Sequence, residues 1–368
     1  MPEAQETILE INLSALTHNY NYLRSRIPEN CRFLAVVKAF AYGHDQVKIA
    51  QHLENIGVDY FAVAYTNEGI NLRENGITKP IMVLHPQPVN FNALSEYNLE
   101  PSLYSQYVLS QFIKSAEKNG LENYPIHIKF NTGLNRLGFW ENDLDWIMSQ
   151  IEQTRSIKIK SILSHLAASE DLNEREFSMN QIKSFTKTAK AFTEKLGYAP
   201  MLHMCNTSGI LNYPEAHFDM VRSGIGLYGF GNSEKENKNL IPIASLKSVI
   251  SQIHRIEDGE TVGYNRAFKS GGFMKTATIP IGHADGIGRQ YGNGIGRVYI
   301  KGKPAPILGN VCMDMIMVDV TSIDCKEGDE VILFDKDHSA ENMALKASTI
   351  SYELITAISS RVRRLYLE

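Results

Sequence analysis

No run of apolar residues in this chain approaches the ~20 needed to cross a bilayer as a helix, so no membrane partner is expected. Cysteine is scarce: four in 368 residues, widely scattered and without a CxxC pair. That pattern argues against a disulfide framework or a structural zinc site; free thiols in a reducing compartment, and no metal, are the expectation. Blocks of basic residues are missing and the formal charge is −4. Nucleic acid and anionic membranes are therefore poor partners for it. The opening stretch, MPEAQETILE, is acidic and lacks a basic segment followed by an apolar one, so a cytoplasmic location is expected. Low-complexity segments are absent too.

What the chain does have is alternation. Between residues 30 and 230, short apolar runs recur: Phe33–Ala39, Tyr60–Thr66, Ile81–His85, Glu100–Tyr104, Ile126–Thr132, Ile159–Leu166, Met201–Thr207 and Phe218–Ile225. Amphipathic stretches of helical length separate them, several ending in glycine, a usual helix stop. Such alternation predicts a (β/α)8 TIM-type barrel. After a polar segment, GFGNSEKENKNL, strand-like runs follow one another with Gly and Pro between them, and one helix is expected over Ala340–Arg364. The expected fold class is α/β: an N-terminal barrel, residues 1–235, then a C-terminal mostly-β domain, residues 236–368. The first strand is free to pair with the second domain.

In such barrels the working residues sit at the C-terminal ends of the strands. Several runs here end in polar or titratable groups: Lys38, His85, Tyr104, His165, Asn206 and Arg222, with Lys129 and Arg136 in or after the fifth. Lys38 is either a desolvated nucleophile or a lysine whose head reaches solvent. Gly224, Gly226 and Gly229 spell GxGxxG, but after the eighth run rather than the first, so a dinucleotide is rejected. The turn suits a phosphate, or else is a glycine-rich packing corner. A strand-end lysine, a phosphate site and a nearby arginine together suggest pyridoxal phosphate.

At this point the sequence resembles the alanine racemases. AVVKAFAYGHD matches the family's cofactor-lysine segment apart from Phe40 and Asp45. KFNTGLNRLGF, SHLA, HMCNTSG, DMVRSGIGLYG, VGYNRAF, GHADGIGR and GNVCMDMIMVDV follow in order, spanning nearly the whole chain. The resemblance implies that Lys38 anchors pyridoxal 5'-phosphate covalently and is one of two bases. Tyr264, from a second subunit, is the other. It further implies that Arg222 faces the pyridine nitrogen and that Tyr42, Thr207 and the N–H groups of Gly224 and Ile225 hold the phosphate, with His165 and Asn206 beside the cofactor. Arg136 and Met313 meet the substrate, Lys129 braces Arg136 as a carbamate, and Cys312, Asp314 and His283 support the site. The implied activity is interconversion of L- and D-alanine, supplying D-alanine for peptidoglycan, by a homodimer with shared sites. His283 and Ser360 stand where relatives often carry tyrosines that narrow the pocket, which leaves room for serine or other small amino acids. A decarboxylase of the same architecture and a single-domain cofactor-carrying barrel are the remaining alternatives. VGYNRAF and KFNTGLNRLGF favour racemisation over the first, and the β domain disfavours the second.

Overall fold

In the computed structural model, which describes residues 6–368, nearly the whole apolar run before Lys38 is a strand. Its side chains from Phe33 to Val36 are buried on both faces, as parallel strands covered by helices require. The chain opens with β1 (Ile8–Asn12), then runs through β2 (Arg32–Val36), β3 (Tyr60–Val63), β4 (Ile81–Val83), β5 (Glu100–Leu103), β6 (Tyr124–Lys129), β7 (Ile157–Leu163), β8 (Met201–His203) and β9 (Met220–Ser223). The strands from β2 to β9 form a parallel eight-stranded sheet in sequence order, with β9 returning to β2. Backbone bonds from Asp219 N to Leu202 O (3.1 Å) and from Arg222 N to Cys205 O (3.2 Å) close it into a barrel. This is the (β/α)8 barrel that the alternation predicted.

The outer helices follow from their spacing. In Gln106–Lys118, Val108, Leu109, Phe112, Ile113 and Ala116 fall on one face and are buried. Ser105 caps its first turn by accepting from the Val108 N–H. Burying each large apolar side chain of that face stabilises the barrel by roughly 1.5–3 kcal/mol. The longest helix, Arg175–Leu196, stops at Gly197, whose φ of 79° is the left-handed conformation that glycine adopts freely.

The second half contains β10 (Ala244–Val249), β11 (Gln252–Ile256), β12 (Thr261–Val262), β13 (Phe268–Lys269), β14 (Met274–Ile279), β15 (Arg297–Ile300), β16 (Lys303–Leu308), β17 (Ile316–Asp319), β18 (Glu330–Phe334) and β19 (Arg363–Leu367). Apart from the β12–β13 ribbon they form a nine-stranded sheet ordered β11-β14-β17-β16-β15-β18-β10-β1-β19. β1 lies antiparallel to β10 and parallel to β19, so the first and last strands meet in this sheet. The expected helix over Ala340–Arg364 is instead two short helices, Ala340–Lys346 and Ser351–Ala357, followed by β19. Ser348, at φ 57°, turns the chain between the helices, and from Arg363 the backbone is extended beside β1. The polar segment after the barrel is also more than a spacer. Glu236 is buried there and accepts hydrogen bonds from Ser208 and Asn212.

Candidate active site

Directly after β2 the backbone does something rare. Ala39, Phe40, Ala41 and Tyr42 all have φ between 52° and 55°, one turn of left-handed helix built without glycine. Each such residue costs roughly 1–2 kcal/mol, so the turn persists only because its surroundings hold it. Glu68 accepts from the Ala39 N–H at 2.6 Å, and Arg364 donates to the Gly43 carbonyl at 2.8 Å. The result is that Lys38 and Tyr42 both face the mouth of the barrel.

That mouth is a cavity of about 820 Å³. Among the described residues its walls include Lys38, Lys129, Arg136 and Arg222, and no aspartate or glutamate. Burial, then the charge of Arg136, holds the Lys38 ammonium below the ordinary lysine range, against the pull of Glu68. Lys129, only 9% exposed at the end of β6, is brought to about 8 by burial and by Arg136, Arg222 and Lys38. Amines in this condition are poised to be neutral and nucleophilic.

Arg222, in β9, is 4% exposed and held by four partners. It donates to the carbonyls of Ser164 (2.7 Å) and Met204 (3.1 Å), to His203 Nδ1 (2.6 Å) and to His165 Nδ1 (3.2 Å). Burial brings its guanidinium to about 10, so it stays charged at neutral pH. Burial and Arg222 hold His165 far below the usual histidine range, hence neutral. Its Nδ1 accepts from Arg222, which leaves the proton on Nε2.

Across the cavity the β8 and β9 ends make a cradle. Thr207 Oγ1 and Ser223 Oγ lie 2.9 Å apart, and Gly226 N donates to Thr207. Asn206 caps the turn that starts at Thr207 by accepting from the Gly209 N–H at 2.8 Å. Any side chain at Gly224 would run into the Tyr42 hydroxyl. Among the described residues, the Gly224 and Ile225 N–H groups and the Tyr42 hydroxyl donate to no protein acceptor.

The structure therefore gathers Lys38, Tyr42, Lys129, Arg136, His165, Asn206, Thr207, Arg222, Gly224 and Ile225 around one cavity. It does not bring Tyr264, His283, Cys312, Met313 or Asp314 into that lining. These cluster on the second domain: Tyr264 is 74% exposed and Met313 59%. His283 N bonds to the Cys312 carbonyl, and Asp314 pairs with Arg361 at 2.6 Å. Ser360 is also outside the lining. The wall instead takes Tyr352 and Thr356, from the helix Ser351–Ala357, and Asn232, which accepts from the Tyr352 hydroxyl at 3.2 Å. No sequence motif marked these three.

A (β/α)8 barrel with a β-rich second domain, and a cavity of basic groups around a strand-end amine, defines a two-domain barrel enzyme. Residues 11–231 match the family model described as alanine racemase, N-terminal domain, and residues 243–366 match alanine racemase, C-terminal domain. An alanine racemase of Thermodesulfovibrio yellowstonii is 38% identical over 97% of both chains. One of Methanococcus maripaludis is 36% identical over 97% of this chain and 98% of its own. The solved alanine racemase of Clostridium difficile superposes with a TM-score of 0.91 at 34% identity, covering 99% of this chain and 96% of the other. That of Bacillus anthracis with bound L-Ala-P also gives 0.91, at 29% identity, over 100% and 96%. The chain belongs to the alanine racemase family.

Proposed function

We propose that this protein interconverts L- and D-alanine with pyridoxal phosphate held at the barrel mouth. The observation that carries the reading is the cavity itself: among the described residues, four cationic side chains and no carboxylate in its wall. Such a site fits a ligand pair bearing a phosphate and an amino-acid carboxylate. The free N–H groups of Gly224 and Ile225, the Tyr42 hydroxyl and Thr207 would hold the phosphate, with Asn206 fixing the turn beneath it. Lys38 would anchor the carbonyl, and Arg222 would face the ring nitrogen. Bound there, the cofactor would supply an electron sink that acidifies the Cα proton of alanine.

The chain's own groups then do the proton work. Inversion needs a base on each face of Cα. Lys38 serves one face. Tyr264 of a second copy would serve the other; that this chain's own Tyr264 is exposed and outside the cavity lining supports the reading. A tyrosine acts as a base only where cations favour its phenolate, and Arg222, hydrogen-bonded to His165, would be the cation connected to it. A guanidinium gives up its proton reluctantly, so Arg222 would leave the ring nitrogen unprotonated and discourage side reactions. Arg136 would orient the substrate carboxylate, braced by Lys129 as a carbamate. Met313, Cys312, Asp314 and His283 would complete the site from the second copy. Tyr352, in the cavity wall, would narrow the pocket in place of the tyrosine that some relatives carry where this chain has Ser360. The same reading makes the protein a cytoplasmic homodimer and divides it at 235/236, with β1 contributed to the second domain.

Chiral chromatography of L-alanine, L-serine and L-lysine incubations, with carbon dioxide release followed in parallel, tests it. Racemisation of alanine without carbon dioxide is expected, with loss of both cofactor absorbance and turnover in Lys38→Ala. Wild-type protein that never takes up pyridoxal phosphate would end the reading.

A further inference from the structure

Arg222 is a buried guanidinium without a carboxylate partner: among the described residues no Asp or Glu pairs with it. Its charge is nevertheless not isolated. His203 Nδ1 lies 2.6 Å from Arg222 Nη1, and His203 Nε2 lies 2.8 Å from Ser161 Oγ. Ser161 Oγ is 2.6 Å from His127 Nδ1, and His127 Nε2 is 2.9 Å from Glu100 Oε2. These residues belong to β9, β8, β7, β6 and β5, successive strands around the barrel. Both histidines and Ser161 are completely buried.

The two ends fix every proton between them. A guanidinium only donates, so His203 Nδ1 must accept and its proton sits on Nε2. A carboxylate only accepts, so His127 Nε2 must donate and its Nδ1 must accept. Ser161 then accepts from His203 and donates to His127. All four hydrogen bonds point the same way, from Arg222 toward Glu100. Burial holds His127 and His203 below the ordinary histidine range, hence neutral, as this order requires. Burial alone would raise the Glu100 carboxyl, but His127 and Lys160 together bring it to about 2. Lys160 pairs with it at 2.7 Å and Tyr60 donates its hydroxyl, so the far end is an ionised, saturated anchor.

We propose that Glu100 is a remote positioning residue for racemisation, acting on Arg222 through the one-way relay His127–Ser161–His203. This rests on the reading of Arg222 as the partner of the cofactor ring nitrogen. Aligned hydrogen bonds polarise one another, so the relay brings the countercharge of Glu100 to bear on the guanidinium. No carboxylate then has to stand beside the ring, where it would favour a protonated nitrogen. The relay also fixes the guanidinium plane, since His203 can accept from only one direction.

The test uses Glu100→Gln, Ser161→Ala and the double variant, each labelled with 15N-histidine and observed by NMR before pyridoxal phosphate is added. Wild type should show both histidines as neutral Nε2–H forms, with a strongly hydrogen-bonded His203 proton. Either single change should move that proton upfield, although Glu100 does not touch His203. After loading, kcat for alanine should fall about tenfold, the worth of one hydrogen bond to a charged group, with KM changed less. The double variant should lose no more than Ser161→Ala alone, because either break severs the same chain. Ser161→Ala leaves no unpaired charge and keeps the test open if Glu100→Gln does not fold. A His203 signal indifferent to Glu100→Gln, or losses that add in the double variant, would overturn the relay. Failure of wild type to bind pyridoxal phosphate would instead strike the proposed function and leave the NMR result standing.

Discussion

Lys129 is a buried ammonium with cations for neighbours, and that combination has consequences that can be measured. Its value of about 8 in the folded chain lies below the ~10.4 of an unfolded lysine. Between those pH values the unfolded chain binds the extra proton, so stability rises with pH there; below about pH 8 the full penalty remains. With carbon dioxide excluded and no cofactor bound, Lys129→Met should therefore stabilise the protein at neutral pH by about 1–3 kcal/mol. The gain should shrink toward pH ~10 as the native amine loses its proton in the fold, and urea unfolding at both pH values checks it. Given bicarbonate, the neutral amine can add carbon dioxide and release a proton, becoming a carbamate that faces Arg136. A 13C-bicarbonate NMR signal present in wild type and missing in Lys129→Met is the expected signature. Lys38 and Arg222 were legible in the sequence as polar groups at the ends of apolar runs, and Lys129 as one within the fifth run. Tyr352 was not, because it reaches the cavity from a helix more than a hundred residues past the barrel. The relay residues passed as ordinary strand positions, since polar side chains inside a barrel declare themselves only when neighbouring strands are laid side by side.

The left-handed turn after β2 depends on an element from the far end of the chain. Arg364, in β19, donates to the carbonyls of Gly43, Ile358, Ser359 and Val362, and its guanidinium stands 5.5 Å over the Phe40 ring. Tyr366 of the same strand donates to Asp45, which also caps the helix Gln46–Asn55. Phe40 and Asp45, the two departures from the family's lysine segment, are thus both docked on β19. Their magnitudes differ. Phe40→Asn exchanges a cation–π contact of about 0.5–1 kcal/mol for a side chain that tolerates φ 55° better, so stability should stay within about 0.5 kcal/mol of wild type. Arg364→Leu strands four carbonyls and should cost about 2–4 kcal/mol. It should also weaken uptake of pyridoxal phosphate, because the turn carrying Lys38 and Tyr42 loses its clamp; urea melts and cofactor titration read the two effects separately. The barrel was legible from spacing alone because short, mostly apolar runs alternate with amphipathic stretches of helical length. β19 was not: helical spacing runs on through Ile358, and only pairing with β1, more than three hundred residues earlier, makes Arg363–Leu367 extended.

At the scale of the whole molecule, one folded chain holds half of the proposed proton machinery. Lys38 lies in the cavity wall, whereas Tyr264 projects from the turn Tyr264–Arg266 with three quarters of its surface open. That turn is held stiffly: Gly263, Asn265 and Arg266 have φ of 76°, 59° and 52°, and Asn310 donates to the Tyr264 carbonyl at 3.3 Å. Tyr264, Met313 and Met315 are all exposed large apolar side chains of the second domain, as the proposed contact with a second copy requires. A second copy related by a twofold axis would receive Tyr264 at its own cavity and return the favour, so both sites are completed together. Two inactive variants then become complementary. In a dimer of one Lys38→Ala chain with one Tyr264→Phe chain, one site has both defects and the other has neither. Random exchange makes about half the dimers mixed, so about a quarter of the sites should recover. Mixing the purified variants, confirming exchange by mass spectrometry of the intact dimers and assaying alanine racemisation measures that fraction. Exchanged dimers that stayed inactive would show that Tyr264 serves the cavity of its own chain or none.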